Sequence, residues 1–121
     1  MLKSVRREDA EVYDLPGRDF LLLVGPENTG AEGLTLGLAV FPEGSAPPGH
    51  VHESAEEVIY VVSGNGKLDT AKGSIELAPG TAVYIPPGLL HATVSQGPGP
   101  LELVSVFSPP VVPGSYETGA N

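Results

Sequence analysis

With 121 residues the chain has room for one hydrophobic core but not for two. Its 15 acidic against 6 basic side chains leave a formal charge of −9, which argues against a basic patch for phosphate backbones and so against nucleic acid as a partner. Cysteine is absent, which excludes a disulfide framework, thiolate chemistry and a zinc ribbon.

The 16 glycines and 13 prolines are scattered between apolar runs, as short strands and tight turns require. Lys3, Arg6 and Arg7 are followed by Glu8 and Asp9 without a long apolar stretch, so no secretory signal is expected. No run approaches membrane-spanning length, and a cytoplasmic protein without a membrane partner is the expectation. Residues 1 to 19 are expected to form an edge strand and a loop ending near Arg18, with a role in packing or dimerisation. Phe20 to Val24, stopped by Gly25 and Pro26, reads as a buried strand, and residues 27 to 33 as loop. Leu34 to Phe41 alternates with a period of two, placing Leu34, Leu36, Leu38 and Val40 on one face and Thr35, Gly37, Ala39 and Phe41 on the other. Pro42, Pro47 and Pro48 stiffen the approach to His50.

Val58 to Val62 has the β-branched and aromatic composition of a strand, and with Glu57 pointing inward the same face carries Ile59 and Val61. Gly64, Asn65 and Gly66 signal a turn, after which Lys67 to Thr70 and Ser74 to Leu77 flank Ala71-Lys72-Gly73 as a hairpin. Thr81 to Ile85 is a strand that Pro86, Pro87 and Gly88 reverse; the chain returns with His91, Thr93 and Ser95 on one face. Leu101 to Phe107 alternates again as a closing strand. Residues 108 to 121 have little periodicity and are expected to lie over the fold or across a partner subunit.

His50 and His52 are two residues apart, so a strand would point both imidazoles at one object. Glu57 follows across a short connection and His91 supplies a fourth donor, which uses all 3 histidines. One histidine on an apolar strand is ordinarily a packed or surface residue; three in register with a carboxylate form a candidate site for a first-row transition metal. Glu56 is the alternative carboxylate if the connection is one residue shorter, and Glu53 is also near.

Residues 44 to 64 read G-x5-H-x-H-x4-E-x6-G and residues 80 to 91 read G-x5-P-x-G-x2-H. These stretches resemble the two cupin motifs, with the short separation seen in compact single-domain members, and the resemblance spans residues 34 to 107. It favours Glu57 over Glu56, and it departs from many cupins at Ser95, where they carry an Asn that is not a metal ligand. Together with about eight to ten short strands it implies an all-β double-stranded β-helix, a jelly-roll barrel, forming one domain over residues 1 to 121. It also implies a homodimer and one divalent metal held by His50, His52, Glu57 and His91.

Mn, Fe, Co, Ni, Cu and Zn all accept imidazole and carboxylate. Iron or manganese is favoured over zinc because four protein ligands close a tetrahedral ion, whereas an octahedral one keeps two positions open. The expected function is a metal-dependent dioxygenase acting on a small molecule chelated through enol or carbonyl oxygens. Resemblance to quercetinase-like cupins gives Glu57 a catalytic role, as ligand or, once detached, as base. A non-oxidative sugar isomerase or lyase and a ligand-binding domain without turnover are the alternatives. Tyr60 and Tyr84 are expected in the core or an interface, with Thr93 and Ser95 as weaker pocket candidates. Arg18, Lys67 and Lys72 are the only basic residues beyond position 7 and none lies in a motif, which ranks phosphosugars and oxalate below neutral or enolic substrates.

Overall fold

Alternating runs between glycine and proline breakers become nine strands in a computed structural model that describes residues 1–116. They are β1 (Glu11–Leu15), β2 (Arg18–Val24), β3 (Thr35–Phe41), β4 (Glu56–Ser63), β5 (Gly66–Thr70), β6 (Gly73–Leu77), β7 (Ala82–Ile85), β8 (Ala92–Ser95) and β9 (Leu101–Ser108). The only helical element among the described residues is a 3-10 turn, Arg7–Asp9. The strands form a six-stranded antiparallel sheet in the order β1-β2-β3-β9-β4-β7 and a three-stranded one in the order β6-β5-β8. This is the double-stranded β-helix expected from the motifs. No helix among the described residues is long and apolar enough to cross a membrane.

The inward faces follow the period of two. Glu57, Ile59 and Val61 of β4 are buried while their neighbours Val58, Tyr60 and Val62 are exposed, as expected. On β3 the set turned inward is Thr35, Gly37, Ala39 and Phe41. Gly37 is there because a Cβ would sit 2.0 Å from Cζ of the Phe20 ring, which fills that space.

Three connections differ from the simplest reading of the sequence. The strand expected to close the fold, β9, lies between β3 and β4. The turn at Gly64 to Gly66 and the reversal at Pro86 to Gly88 both carry the chain from one sheet to the other, so β7 and β8 do not pair. A turn residue specifies a local bend, whereas the pairing partner is set by which apolar faces meet. Tyr60 and Tyr84, expected in the core or an interface, stand on the outside, 50% and 56% exposed. Strand β2 begins at Arg18 rather than Phe20, which places Arg18 on the inward face with Phe20 and Leu22. The tail expectation is met in part: residues 109 to 116 fold back and bury Tyr116 against Phe107, and the remainder of that expectation lies outside the described residues.

Candidate metal centre

Two arms of the chain carry the histidines and are joined directly by backbone. The His50 N–H donates to the His91 carbonyl at 2.9 Å, the His91 N–H returns a bond to His50 at 3.0 Å, and the Gly88 N–H donates to the His52 carbonyl at 2.8 Å. Further along, Gly44 and Ser45 bond to Ser95. The first arm therefore runs beside β8, but only as one isolated bridge, His50 to His91, and not as the regular strand the spacing suggested. Pro47 and Pro48 bring no N–H and cannot extend a ladder. Gly49 permits the approach, since a Cβ there would lie 3.1 Å from the His91 carbonyl oxygen.

The result brings all four predicted ligands together. His50, His52, Glu57 and His91 each offer a donor atom, and these atoms lie within 4.8 Å of one another. Glu57 Oε1 is 3.2 Å from His52 Nε2 and 3.3 Å from His91 Nε2. These are ion-pair distances without hydrogen-bond geometry, and His52 Nδ1 and Nε2, Glu57 Oε1 and His91 Nε2 are all buried with no hydrogen-bond partner. Polar atoms orphaned in this way cost about 1–3 kcal/mol each. A cation that collects their lone pairs removes most of that cost, so the residues fit a metal ion. Glu56, the alternative carboxylate, is exposed and accepts a 2.7 Å hydrogen bond from the Tyr84 hydroxyl; Glu53 is exposed too.

Protonation agrees with ligation. His91 Nδ1 lies 2.9 Å from the Leu89 carbonyl, an acceptor, so this nitrogen carries the hydrogen and Nε2 faces the centre with its lone pair. Burial, then the neighbouring His91, push His50 down to about 3, so it is a neutral donor at physiological pH. Burial works against a charged Glu57, but the facing His52 and His91 outweigh it and hold the carboxyl down at about 2. For His91 burial lowers the pKa, and the contact with Glu57 and its charge raise it above the ordinary histidine value on balance.

The ligands open on a cavity of about 370 Å³, mouth included, of which about 20 Å³ is space for the centre of a water-sized sphere. Its walls include Phe20, Phe41, Ile59 and Leu103, with Thr93 and Ser105 as hydroxyl-bearing residues. Ser95 is buried but turned away, its hydroxyl 3.5 Å from the Phe41 carbonyl. Two cavity residues escape a reading of the sequence. Arg18 is 6% exposed, donates to the Pro16 carbonyl at 2.9 Å and reaches the cavity wall. Its signal was the alternation it shares with Phe20, hidden because the strand was begun two residues late. Tyr116 is 2% exposed, with its ring 4.2 Å from that of His52, 4.9 Å from that of His50 and 6.0 Å from the Arg18 guanidinium carbon. Nothing in the aperiodic tail announced it. Arg18, which lies outside both motifs, is thus a cation at the cavity wall.

The cupin domain model matches residues 37–107, which include all four candidate ligands. The chain belongs to the cupin family. This cupin is 32% identical over 76 residues to an uncharacterized protein of Methanocaldococcus jannaschii, covering 63% of this chain and 61% of that one. It is 35% identical over 66 residues to a glucose-6-phosphate isomerase of Thermococcus onnurineus, covering 49% of this chain and 35% of the isomerase. The chain thus spans about a third to three fifths of these curated relatives. Among solved structures it is similar to the polyketide cyclase RemF from Streptomyces resistomycificus, with a TM-score of 0.77 at 27% identity over 89% of this chain and 80% of that one.

Two outcomes are expected. Protein loaded with a divalent metal and dialysed retains the ion, and His91→Ala loses it with the β-sheet circular dichroism unchanged; full retention by the variant in elemental analysis refutes the ligand set. Because protons and metal compete for His91, whose metal-free pKa is raised, apparent affinity is highest above that pKa and falls about tenfold per pH unit below it, as equilibrium dialysis from about pH 5 to about pH 9 measures.

Proposed function

We propose that this centre is catalytic and acts on a compact substrate bearing neighbouring carbonyl, enol or carboxylate oxygens. The observation that carries the reading is one apolar cavity in which a buried guanidinium, Arg18, lines the wall with His50, Glu57 and His91. A divalent metal, held by His50, His52, Glu57 and His91, supplies Lewis acidity toward a substrate oxygen when bound; an octahedral ion such as manganese or iron suits this role by leaving positions open.

The chain's own residues do the rest. The site's negative charge is that of Glu57, the sole carboxylate among the described cavity residues. Arg18 adds fixed positive charge where charge accumulates on an enolate, in a site whose apolar walls exclude water. Glu57 Oε1 faces the imidazoles, and its carboxylate, at the cavity wall, is the group we assign to removal of the α-proton of a carbonyl substrate. Similarity to an isomerase and a cyclase supports proton transfer over oxidation, since neither name describes a redox reaction. The dioxygenase reading keeps one support of its own, water-sized room of about 20 Å³ beside the ligands, which suits dioxygen.

Incubating metal-loaded protein in deuterium oxide with a panel of diketones, 2-keto acids and catechols separates the two. Proton transfer predicts deuterium at the carbon next to the carbonyl by NMR, no oxygen uptake, and an exchange rate lower by about a hundredfold or more in Glu57→Gln at saturating metal. Oxygen uptake without exchange would establish the dioxygenase instead.

A homodimer is the assembly we infer, through the outer face of the six-stranded sheet. Val12, Leu21, Leu38, Val104, Tyr60 and Ala82 are aligned partners across all six strands, and Val24, Leu36, Val106, Val58 and Tyr84 form the adjacent row; of these Val12, Val58, Tyr60 and Tyr84 are exposed, while Leu21 and Leu38 are buried. Carboxylates bound the rows, Asp14, Asp19 and Glu102 on one side and Glu56, bonded to the Tyr84 hydroxyl, on the other. For two copies each carrying −9, exposed apolar side chains on this face favour pairing here. Sedimentation should give a dimer, and Tyr60→Glu a folded monomer; an unaltered dimer in that variant excludes this face.

A further inference from the structure

After β9 the chain turns back as Pro109-Pro110-Val111-Val112-Pro113-Gly114-Ser115-Tyr116 and ends its described course inside the metal cavity. One buried side chain ties this strap to β3 through two hydrogen bonds. Thr35, wholly buried on β3, donates its hydroxyl to the Val111 carbonyl at 3.3 Å and accepts the Val111 N–H at 3.2 Å. A turn closed by Ser115 N–H to Val112 carbonyl at 3.0 Å follows, with Gly114 at φ +86° packed so closely on Leu15 that a Cβ would lie 3.0 Å from Leu15 Cδ2. The turn delivers the Tyr116 ring against the rings of His52 and His50.

With that ring lining the cavity, the enclosed space beside the ligands holds little more than a water-sized molecule, too little for an organic substrate. Three prolines in eight residues limit the conformations the strap can adopt. We propose that Tyr116 selects what reaches the metal centre, the strap of residues 109 to 116 withdrawing its ring to admit a chelating substrate. The phenol then forms the wall against which a planar enol or keto acid lies, beside Arg18. This rests on the metal centre being the substrate site, as argued above.

The test uses full-length protein loaded with cobalt(II), whose visible spectrum reports ligand exchange without turnover. Azide and maltol, a planar hydroxy-ketone, are mixed separately with the protein in a stopped-flow instrument. Azide, small and linear, should bind at a rate linear in its concentration. Maltol should reach a ceiling independent of concentration, the rate of strap withdrawal. Thr35→Val removes the tether without touching the cavity, and Tyr116→Ala removes the gate. Thr35→Val should raise the maltol ceiling by about tenfold, Tyr116→Ala should abolish it so that the maltol rate becomes linear in concentration, and both should leave cobalt content and azide binding unchanged. Maltol kinetics identical to wild type in both variants, with cobalt retained, overturn the gate. Failure of both azide and maltol to perturb the spectrum of any cobalt-loaded form overturns the metal-centre reading, and the gate with it.

Discussion

A buried carboxylate and three imidazoles facing one another without hydrogen bonds are tolerable only if something positive joins them, and this requirement organises the molecule. Glu57 is 5% exposed and meets two imidazole nitrogens at 3.2 and 3.3 Å. Solvating them with water would demand a roomier, wetter site. The fold supplies apolar walls instead, which raise the strength of every charge interaction inside them. A divalent ion is the smallest object that satisfies the donors together. Such a centre needs its ligands on rigid supports, and each support is identifiable: Glu57 on a strand paired on both sides, His50 and His91 on arms that bond each other reciprocally, His52 held through its carbonyl by Gly88.

The two sheets divide the labour. The larger contributes most of the buried apolar side chains, from β2, β3, β4, β7 and β9, and is stabilised by packing. The smaller presents few large residues, Leu68 and Leu77 among them, and its strand β8 gives Thr93 to the cavity. The metal ligands lie where the two meet, with Glu57 on the larger sheet and His91 at the start of β8. Chemistry is thereby placed at the seam, where inward positions need not all be filled by core.

Charge is distributed to the same end. The chain carries −9 overall, yet its buried basic residue, Arg18, lies at the one cavity that also holds the donor cluster. In a low-dielectric wall a guanidinium interacts more strongly with its surroundings than it would on the surface.

The spacing of two histidines, a carboxylate and a third histidine marked a candidate donor set, and the resemblance to the cupin motifs favoured Glu57 over Glu56; the folded chain brings those four donors together. Strand positions and the inward face of β4 were equally legible, since burial of alternate side chains is written locally. Which strands pair was not. β9 sits between β3 and β4, and Gly64 and Pro86 change sheets, because pairing depends on faces that meet only when the barrel closes. Nor could Arg18 and Tyr116 be seen as cavity residues. The first looks like a loop cation until the strand is known to start there, and the second belongs to an aperiodic tail tied down by contacts with distant residues, among them Thr35, 76 residues before its partner Val111. Sequence spacing marks the candidate donors; the shape and charge of the space before the metal arise from contacts between segments far apart, and only the folded chain defines them.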